Sequence, residues 1–403
     1  MNAKVLRAQS RRGRSDRLRV GVTLFVRDEN QTLWENGIFQ NCFFLIEMLK
    51  ASPQVEWCCI VVDGPGAGGH RSQFSREFGA DVIGVAEALD SLDVIVELSA
   101  QLDVEWGKTF VDRGGRIAAM RVANDFIIDA ERMAFKLAPG LLMSGMPYQE
   151  VWTLPAFERT CARYYEAGLR APVRIMQHLW SPQLVDREVA SCGRHTEFRY
   201  VPGRSRWRAA ILEPNICSVK TAHIPLLACE NAYRRNPAFL DVLRVFNTAE
   251  LRNNQIFIRF ARSLTLIKNG MASFEDRFPI FDIMGSQADV IVSHQWENAQ
   301  NYLYYEALYG GFPLIHNSTL IEGCGYRYED FDPEDGGAAL LQAFVQHDLD
   351  LETYIANGRR LIAKLDPTSD ANVRAYSEAI AGLFDDRRGA GAGVLSHQLA
   401  PAL

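Results

Sequence analysis

Short apolar runs rich in Val, Ile and Leu recur along the chain, each separated from the next by a longer stretch with helical spacing. Residues 18–26 (LRVGVTLFV), 55–62, 93–98, 116–122, 151–155 and 173–180 are the first set of such runs. Continuous apolar character of this kind marks strands covered on both faces. After the first run, apolar positions 38, 39, 43, 44, 45, 46, 48 and 49 make a well-buried helix, and 157–167 reads as another. Strand and helix in alternation predict a parallel, doubly wound sheet. Residues 183–208 then dissolve into charge and turn residues, with Arg187, Arg194, Arg199, Arg204 and Arg206 among them, and read as a linker.

The alternation resumes beyond it. Residues 209–212, 242–246, 271–274, 289–293 and 312–315 read as strands. Pro225 fits the first turn of a helix that stops at Asn236-Pro237. Further helices are expected over 253–264, 278–287, 302–309, 333–347, 351–365 and 372–384, with Gly310-Gly311 closing the one at 302–309. The pattern divides the chain into a leader (1–18), a first α/β domain (19–182), a linker (183–208), a second α/β domain (209–365), a last helix (366–386) and a Gly- and Ala-rich tail (387–403).

Composition narrows the function classes. The 403 residues are 48% hydrophobic and 23% charged, the mix of a globular protein with room for two domains. A net charge of −6 argues against nucleic acid as a partner. No run approaches the ~20 apolar residues of a membrane span, and no apolar signal core follows the N-terminus. The eight cysteines show neither metal-ligand spacing nor CxxC pairing, and read as reduced core residues of a cytoplasmic protein. Residues 1–19 carry seven Lys or Arg against one Asp. That is a solvated leader or, alternatively, an electrostatic contact with the inner membrane surface.

Polar residues gather where strands give way to loops, the ends at which parallel sheets bind ligands. The first domain offers Asp28, Glu35, Asn36 and Gly37 after the first strand, Asp125 after the run 116–122, and His178 at the end of the domain. His178 reads either as a satisfied core histidine or as a residue of the cleft. No GxGxxG turn follows the first strand, and the glycines of 63–69 fit neither common phosphate motif. In the second domain Lys220 stands just ahead of a helix N-terminus, where an anion is favoured. Glu297, Asn298 and Asn301 fall in one loop, and His316, Asn317 and Ser318 in the next. Glu306 lies inside an otherwise aromatic and aliphatic helix, where a carboxylate needs a partner. Asp330-Phe331-Asp332 is a DxD tripeptide, but it ends no buried strand and Pro333 follows it.

Glu306 eight residues after Asn298, followed by Gly311-Phe312-Pro313-Leu314-Ile315, resembles the donor segment of nucleotide-sugar glycosyltransferases with the two-domain GT-B architecture. Over residues 19–386, and most closely at 301–305 and 310–318, the chain resembles a bacterial group of uncharacterised glycosyltransferase-like proteins. The resemblance implies two Rossmann-like domains facing a cleft, with the terminal helix returning to the first. It implies Glu306 as the ribose ligand, with Asn298 at the position of the family's first acid, where Glu297 stands beside it. Lys220 would neutralise the diphosphate, with Asn301 and residues 316–318 also facing the donor. Asp28 or Glu35 would be the general base of an inverting reaction, and Asn36, Gly37, Asp125 and His178 would lie on the acceptor side. The implied activity is metal-independent sugar transfer, without a cofactor, from a nucleotide-sugar to a glycan or lipid-linked acceptor in surface-glycan synthesis. The Asn298 departure keeps open a non-catalytic sugar-binding protein, and the shared architecture keeps open a sugar-nucleotide epimerase.

Overall fold

The computed structural model describes residues 17–385 apart from 29, 70, 139, 141–142, 192–197 and 322. The basic leader up to residue 16, the tail, Arg194 and Cys192 lie outside the described residues. Two parallel sheets organise the chain. The first holds β1 (Leu18–Phe25), β2 (Val55–Asp63), β3 (Asp81–Gly84), β4 (Val94–Glu97), β5 (Arg116–Arg121), β6 (Glu150–Thr153) and β7 (Val173–Ile175), in the order β3-β2-β1-β4-β5-β6-β7. The second holds β8 (Trp207–Ile211), β9 (Leu240–Val245), β10 (Ala272–Phe274), β11 (Val290–Val292), β12 (Leu314–His316) and β13 (Tyr326–Arg327), in the order β10-β9-β8-β11-β12-β13. Strand order reverses beside β1 in one sheet and beside β8 in the other. Those two points open a crevice at the carboxyl ends of the strands.

The central strands are apolar on both faces, as their sequence requires. Val20, Val22 and Leu24 of β1, and Val290 to Val292 of β11, are fully buried. Gly21 is glycine because a Cβ there would sit 2.5 Å from Leu92 and 2.7 Å from Val61.

Several expectations need correction. The strands β3 and β13 were not expected, the strand of 173–180 ends at Ile175, and the helix of 278–287 shrinks to Ile280–Ile283. The linker stretch contains a helix, Gln183–Ser191. Its Leu184 and Val185 are buried, and Asp186 accepts a hydrogen bond from Tyr309 at 2.7 Å. Flanking charges hid that short apolar stripe. Residues 333–365 form one helix, Pro333–Leu365, rather than two. His-Asp-Leu-Asp at 347–350 contains no glycine or proline to stop it, and His347 is buried with its Nε2 on the Gly311 carbonyl at 3.0 Å.

The last helix, Asp370–Gly382, returns to the first domain. Ser377 meets Ser52 at 2.7 Å, and Tyr376 donates to the Gln177 carbonyl at 2.7 Å while its ring packs against Trp152. Among the described residues no helix is long and apolar enough to cross a membrane. The described cysteines are free thiols, all buried except the half-buried Cys217.

Candidate functional site

The helix Tyr302–Tyr309 is the centre of the crevice. Asn301 caps it, its side chain accepting from the Leu303 N–H at 3.3 Å. One turn inside, Glu306 is only 5% exposed. Its carboxylate makes no hydrogen bond or ion pair among the described residues, and burial pushes the carboxyl up to about 8. An isolated buried carboxylate is costly and calls for donors. Half-buried Asn298 gives its backbone N–H to Gln295 at 2.7 Å, and its carboxamide has no partner among the described residues.

The loop after β8 carries the positive charge. Lys220 is half-buried, and its ammonium has no hydrogen bond or ion pair among the described residues. Burial lowers its pKa, with the carboxylate of Glu213 acting the other way. The helix His223–Arg235 begins two residues beyond Thr221 with no side-chain cap at Ala222, so its first N–H groups are open to an anion.

Sequence reasoning missed Glu213. It is fully buried at the end of β8, and one carboxylate oxygen accepts from the His294 N–H at 3.0 Å and from the Ser293 hydroxyl. The other oxygen is buried without a partner. Burial pushes this carboxyl up to about 7. His294 was missed as well. Tyr328 donates its hydroxyl proton to the Ser293 carbonyl at 2.9 Å, so at 2.9 Å from His294 Nδ1 it is the acceptor, and Nε2 is left buried and bare. The signal for Glu213 was an acid placed directly after the apolar run 209–212 at the domain's first crossover.

The loop after β12 is framework rather than ligand. His316 uses both ring nitrogens, Nε2 on the Cys324 carbonyl at 2.9 Å and Nδ1 under the Ser318 N–H at 3.0 Å. Asn317 holds the Gln295 N–H and carbonyl at 2.9 and 2.8 Å and the Asp330 carbonyl at 2.9 Å. Ser318 donates to the Ala299 carbonyl at 2.6 Å. All three side chains are buried and their polar atoms occupied. They fix the β11 and β12 loops to each other and have nothing free to offer a donor. Glu297 is also engaged. Its backbone is left-handed (φ 51°), its side chain pairs with Arg159 of the first domain, and its carbonyl accepts from Asn124 at 2.9 Å.

On the first-domain side, Gly37 lies over Tyr302, with 3.5 Å left for a Cβ. Asn36 caps the helix Gly37–Ala51 by accepting from the Ile38 N–H at 3.1 Å. His178 is 4% exposed, stacked on Tyr302 and 3.2 Å from the Tyr305 hydroxyl through Nδ1. Burial, then the charge of Lys220, lowers it to about 3. Asp125 accepts from Tyr165 at 2.8 Å at the start of the helix Asp125–Phe135. Burial raises its carboxyl against the pull of Arg121. Glu131 of that helix accepts the Ser218 N–H at 2.8 Å, a contact between the first domain and the loop after β8. Glu97, Arg121 and Tyr148 form a buried polar cluster at the ends of β4 and β5 that the sequence did not reveal.

Asp28 and Glu35 are placed differently. Both sit on Arg27, at 2.5 and 3.2 Å, and Asp28 is 42% exposed. The Arg27 hydrogen bond holds the Asp28 carboxyl below its ordinary value, the wrong direction for a proton acceptor. Asp332 of the DxD tripeptide caps the helix Pro333–Leu365 by accepting from the Glu334 and Asp335 N–H groups at 2.8 and 3.1 Å. A separate hollow of about 410 Å³, lined by Arg17, Trp57 and Asp81, lies at the amino ends of β2 and β3, away from the crevice.

Comparison with known proteins places this geometry. The chain belongs to the DUF2827 family, described as proteins of unknown function, whose model matches residues 20–380. No curated protein sequence matches it. Among solved structures it is similar to Anabaena Alr3699/HepE in complex with UDP and glucose, with a TM-score of 0.54 and 11% identity over 91% of this chain and 100% of that one. It is similar to the pneumococcal O-GlcNAc transferase GtfA in complex with UDP and GlcNAc (0.56, 7%, 92% and 100%). A third is the trehalose-6-phosphate synthase OtsA (0.58, 11%, 91% and 99%). The shared architecture is GT-B, as the sequence led one to expect. At these identities the likeness is one of fold.

Proposed function

We propose that the chain is a glycosyltransferase that moves a sugar from a nucleotide-sugar donor to an acceptor hydroxyl. The observation that carries this reading is Glu306, a buried carboxylate without a partner among the described residues, in the helix that follows β11 at the crevice of a GT-B fold. Ribose hydroxyls would give it the donors it lacks and favour its ionised form. Lys220 and the uncapped N-terminus of the helix His223–Arg235 would take the diphosphate without a metal. A leaving diphosphate gains charge as the glycosidic bond breaks, so a fixed cation there favours the transition state over the ground state. Asn298, with its free carboxamide, would face the sugar.

The fold neighbours crystallised with UDP support a uridine nucleotide as the first donor to try. A glycan or lipid-linked acceptor of bacterial surface-glycan synthesis would lie on the first-domain side, near Gly37, Asp125 and His178. With Asp28 tied to Arg27, we give it no part in removing the acceptor proton.

The test is incubation with nucleotide sugars and a mixture of saccharide and lipid-linked acceptors. Release of nucleoside diphosphate that depends on the acceptor is the expected result. Interconversion of the donor sugar without an acceptor would mean an epimerase, and binding without turnover a non-catalytic member of the fold.

A further inference from the structure

One group in the loop after β8 has no task in the proposed transfer. Glu213 has a buried oxygen with no hydrogen-bond partner, and it shares its loop with Lys220, whose ammonium is also unpartnered among the described residues. The groups that face Glu213 come from every neighbouring element. Ser293 and His294 reach it from the loop after β11, and Tyr304 stands 3.1 Å from the same Ser293 hydroxyl. Tyr328 holds the Ser293 carbonyl and His294, and Asn247 donates to the Glu213 carbonyl at 3.3 Å from the loop after β9. Cys217 and Lys220 lie on its own loop, and Lys220 is the one cation among these groups.

Burial keeps His294 neutral, at about 4, and raises both tyrosines and Cys217. Among these groups Glu213 is therefore the one whose charge changes near neutral pH, while burial lowers Lys220. A diphosphate drawn to Lys220 alters the field at Glu213 twice over. It takes up the positive charge of Lys220, and it brings like charge toward a carboxylate whose second oxygen has no hydrogen-bond partner among the described residues. Like charges sharing a buried site raise one member's proton affinity by units of pKa.

We propose that Glu213 takes up a proton when a nucleoside diphosphate docks beside Lys220, so that the donor site binds its nucleotide together with one hydrogen ion. The proton comes from solvent and adds to the free carboxylate oxygen, leaving a neutral acid whose other oxygen still holds Ser293 and His294. Release of the nucleotide returns the proton. The contribution of Glu213 to nucleotide affinity then rises as pH falls. This rests on the diphosphate reading of Lys220 given above.

The probe is UDP, titrated calorimetrically at pH 8 in buffers of different ionisation enthalpy. The pH is chosen above the second ionisation of a phosphate, at about 6. Glu306, common to the wild type and Glu213→Gln, gives up part of a proton when ribose hydroxyls favour its ionised form, so the reading is the difference. The wild type is expected to take up close to one proton more per UDP than Glu213→Gln. That variant keeps an acceptor for Ser293 and His294. Equal proton uptake in the wild type and in Glu213→Gln would put any proton on another group, Lys220 among them, and overturn the proposal. The pH series reads the same difference in affinity: from pH 8.5 to 7.5 the affinity of the wild type relative to Glu213→Gln should increase by up to about tenfold, and parallel profiles overturn the proposal. Failure of UDP to bind at all would instead remove the nucleotide-binding reading beneath it.

Discussion

His178 of the first domain is stacked on Tyr302 of the second, with ring centroids 4.7 Å apart and planes 20° from parallel. The contact joins the two halves of the molecule one helical turn from Glu306. Phe44 closes on the same tyrosine at 5.5 Å, and Gly37 leaves its backbone open to the ring. The helix that carries Glu306 is thus braced by the domain opposite. The Tyr302 hydroxyl, however, is buried without a hydrogen bond. Tyr302→Phe should therefore be neutral or slightly stabilising in urea unfolding, whereas Tyr302→Ala should cost roughly 3–5 kcal/mol.

Lys220 is expected to act on the phosphates and not on the nucleoside. Lys220→Met should weaken UDP binding by at least about tenfold, since hydrogen bonds to charged groups contribute roughly 1.5–3 kcal/mol. Uridine, measured by the same calorimetry, should bind the variant and the wild type alike. Equal losses for both ligands would mean that the variant has disturbed the loop.

Asn317 offers the opposite signature. Its carboxamide makes three buried hydrogen bonds that hold two loops in register. Asn317→Ala should lower the unfolding free energy by roughly 1–3 kcal/mol. Any loss of nucleotide affinity should accompany that instability rather than exceed it, as a comparison of melting temperature with UDP affinity would reveal.

Glu306 gives a pH signature in the free protein. Its carboxyl is raised from an ordinary 4.5 to about 8 by burial. Between those values the folded state holds a proton that the unfolded state releases, so stability falls as pH rises through that window. Glu306→Gln removes this decline, and above pH 8 it should be more stable than the wild type by roughly 1–2 kcal/mol. Denaturant unfolding at pH 6 and pH 9 reads the difference, and parallel profiles for the two proteins would refute it.

The central strands were legible because they are covered on both faces and so read as unbroken apolar runs. The partly exposed edge strands β3 and β13 carry no such run and were not expected. The residues 290–292 of β11 and 20–24 of β1 needed no knowledge of their neighbours. What hydrogen-bonds to what was not legible. His316, Asn317 and Ser318 sit at a strand's carboxyl end and have the chemistry of ligands, yet folding supplies each with a partner from a distant loop. Glu213 looked like the start of a turn, and only the approach of β11 buries it. Asp28 was a candidate base through the resemblance alone, and the hydrogen bond it accepts from Arg27 is not legible in the sequence. Glu306 was found because its helical neighbours are aromatic and aliphatic, a local pattern that implies burial directly.

The most direct measurement is thermal stabilisation by UDP, without added metal, in the wild type and in Glu306→Ala. At one hundred times its dissociation constant a ligand adds about 2.7 kcal/mol of stability, so a clear rise in melting temperature is expected for the wild type. Little or none is expected for Glu306→Ala at the same concentration. An equal rise in both proteins would place the nucleotide away from Glu306, and no rise in either, with UDP or any other nucleoside diphosphate, would contradict the transferase reading.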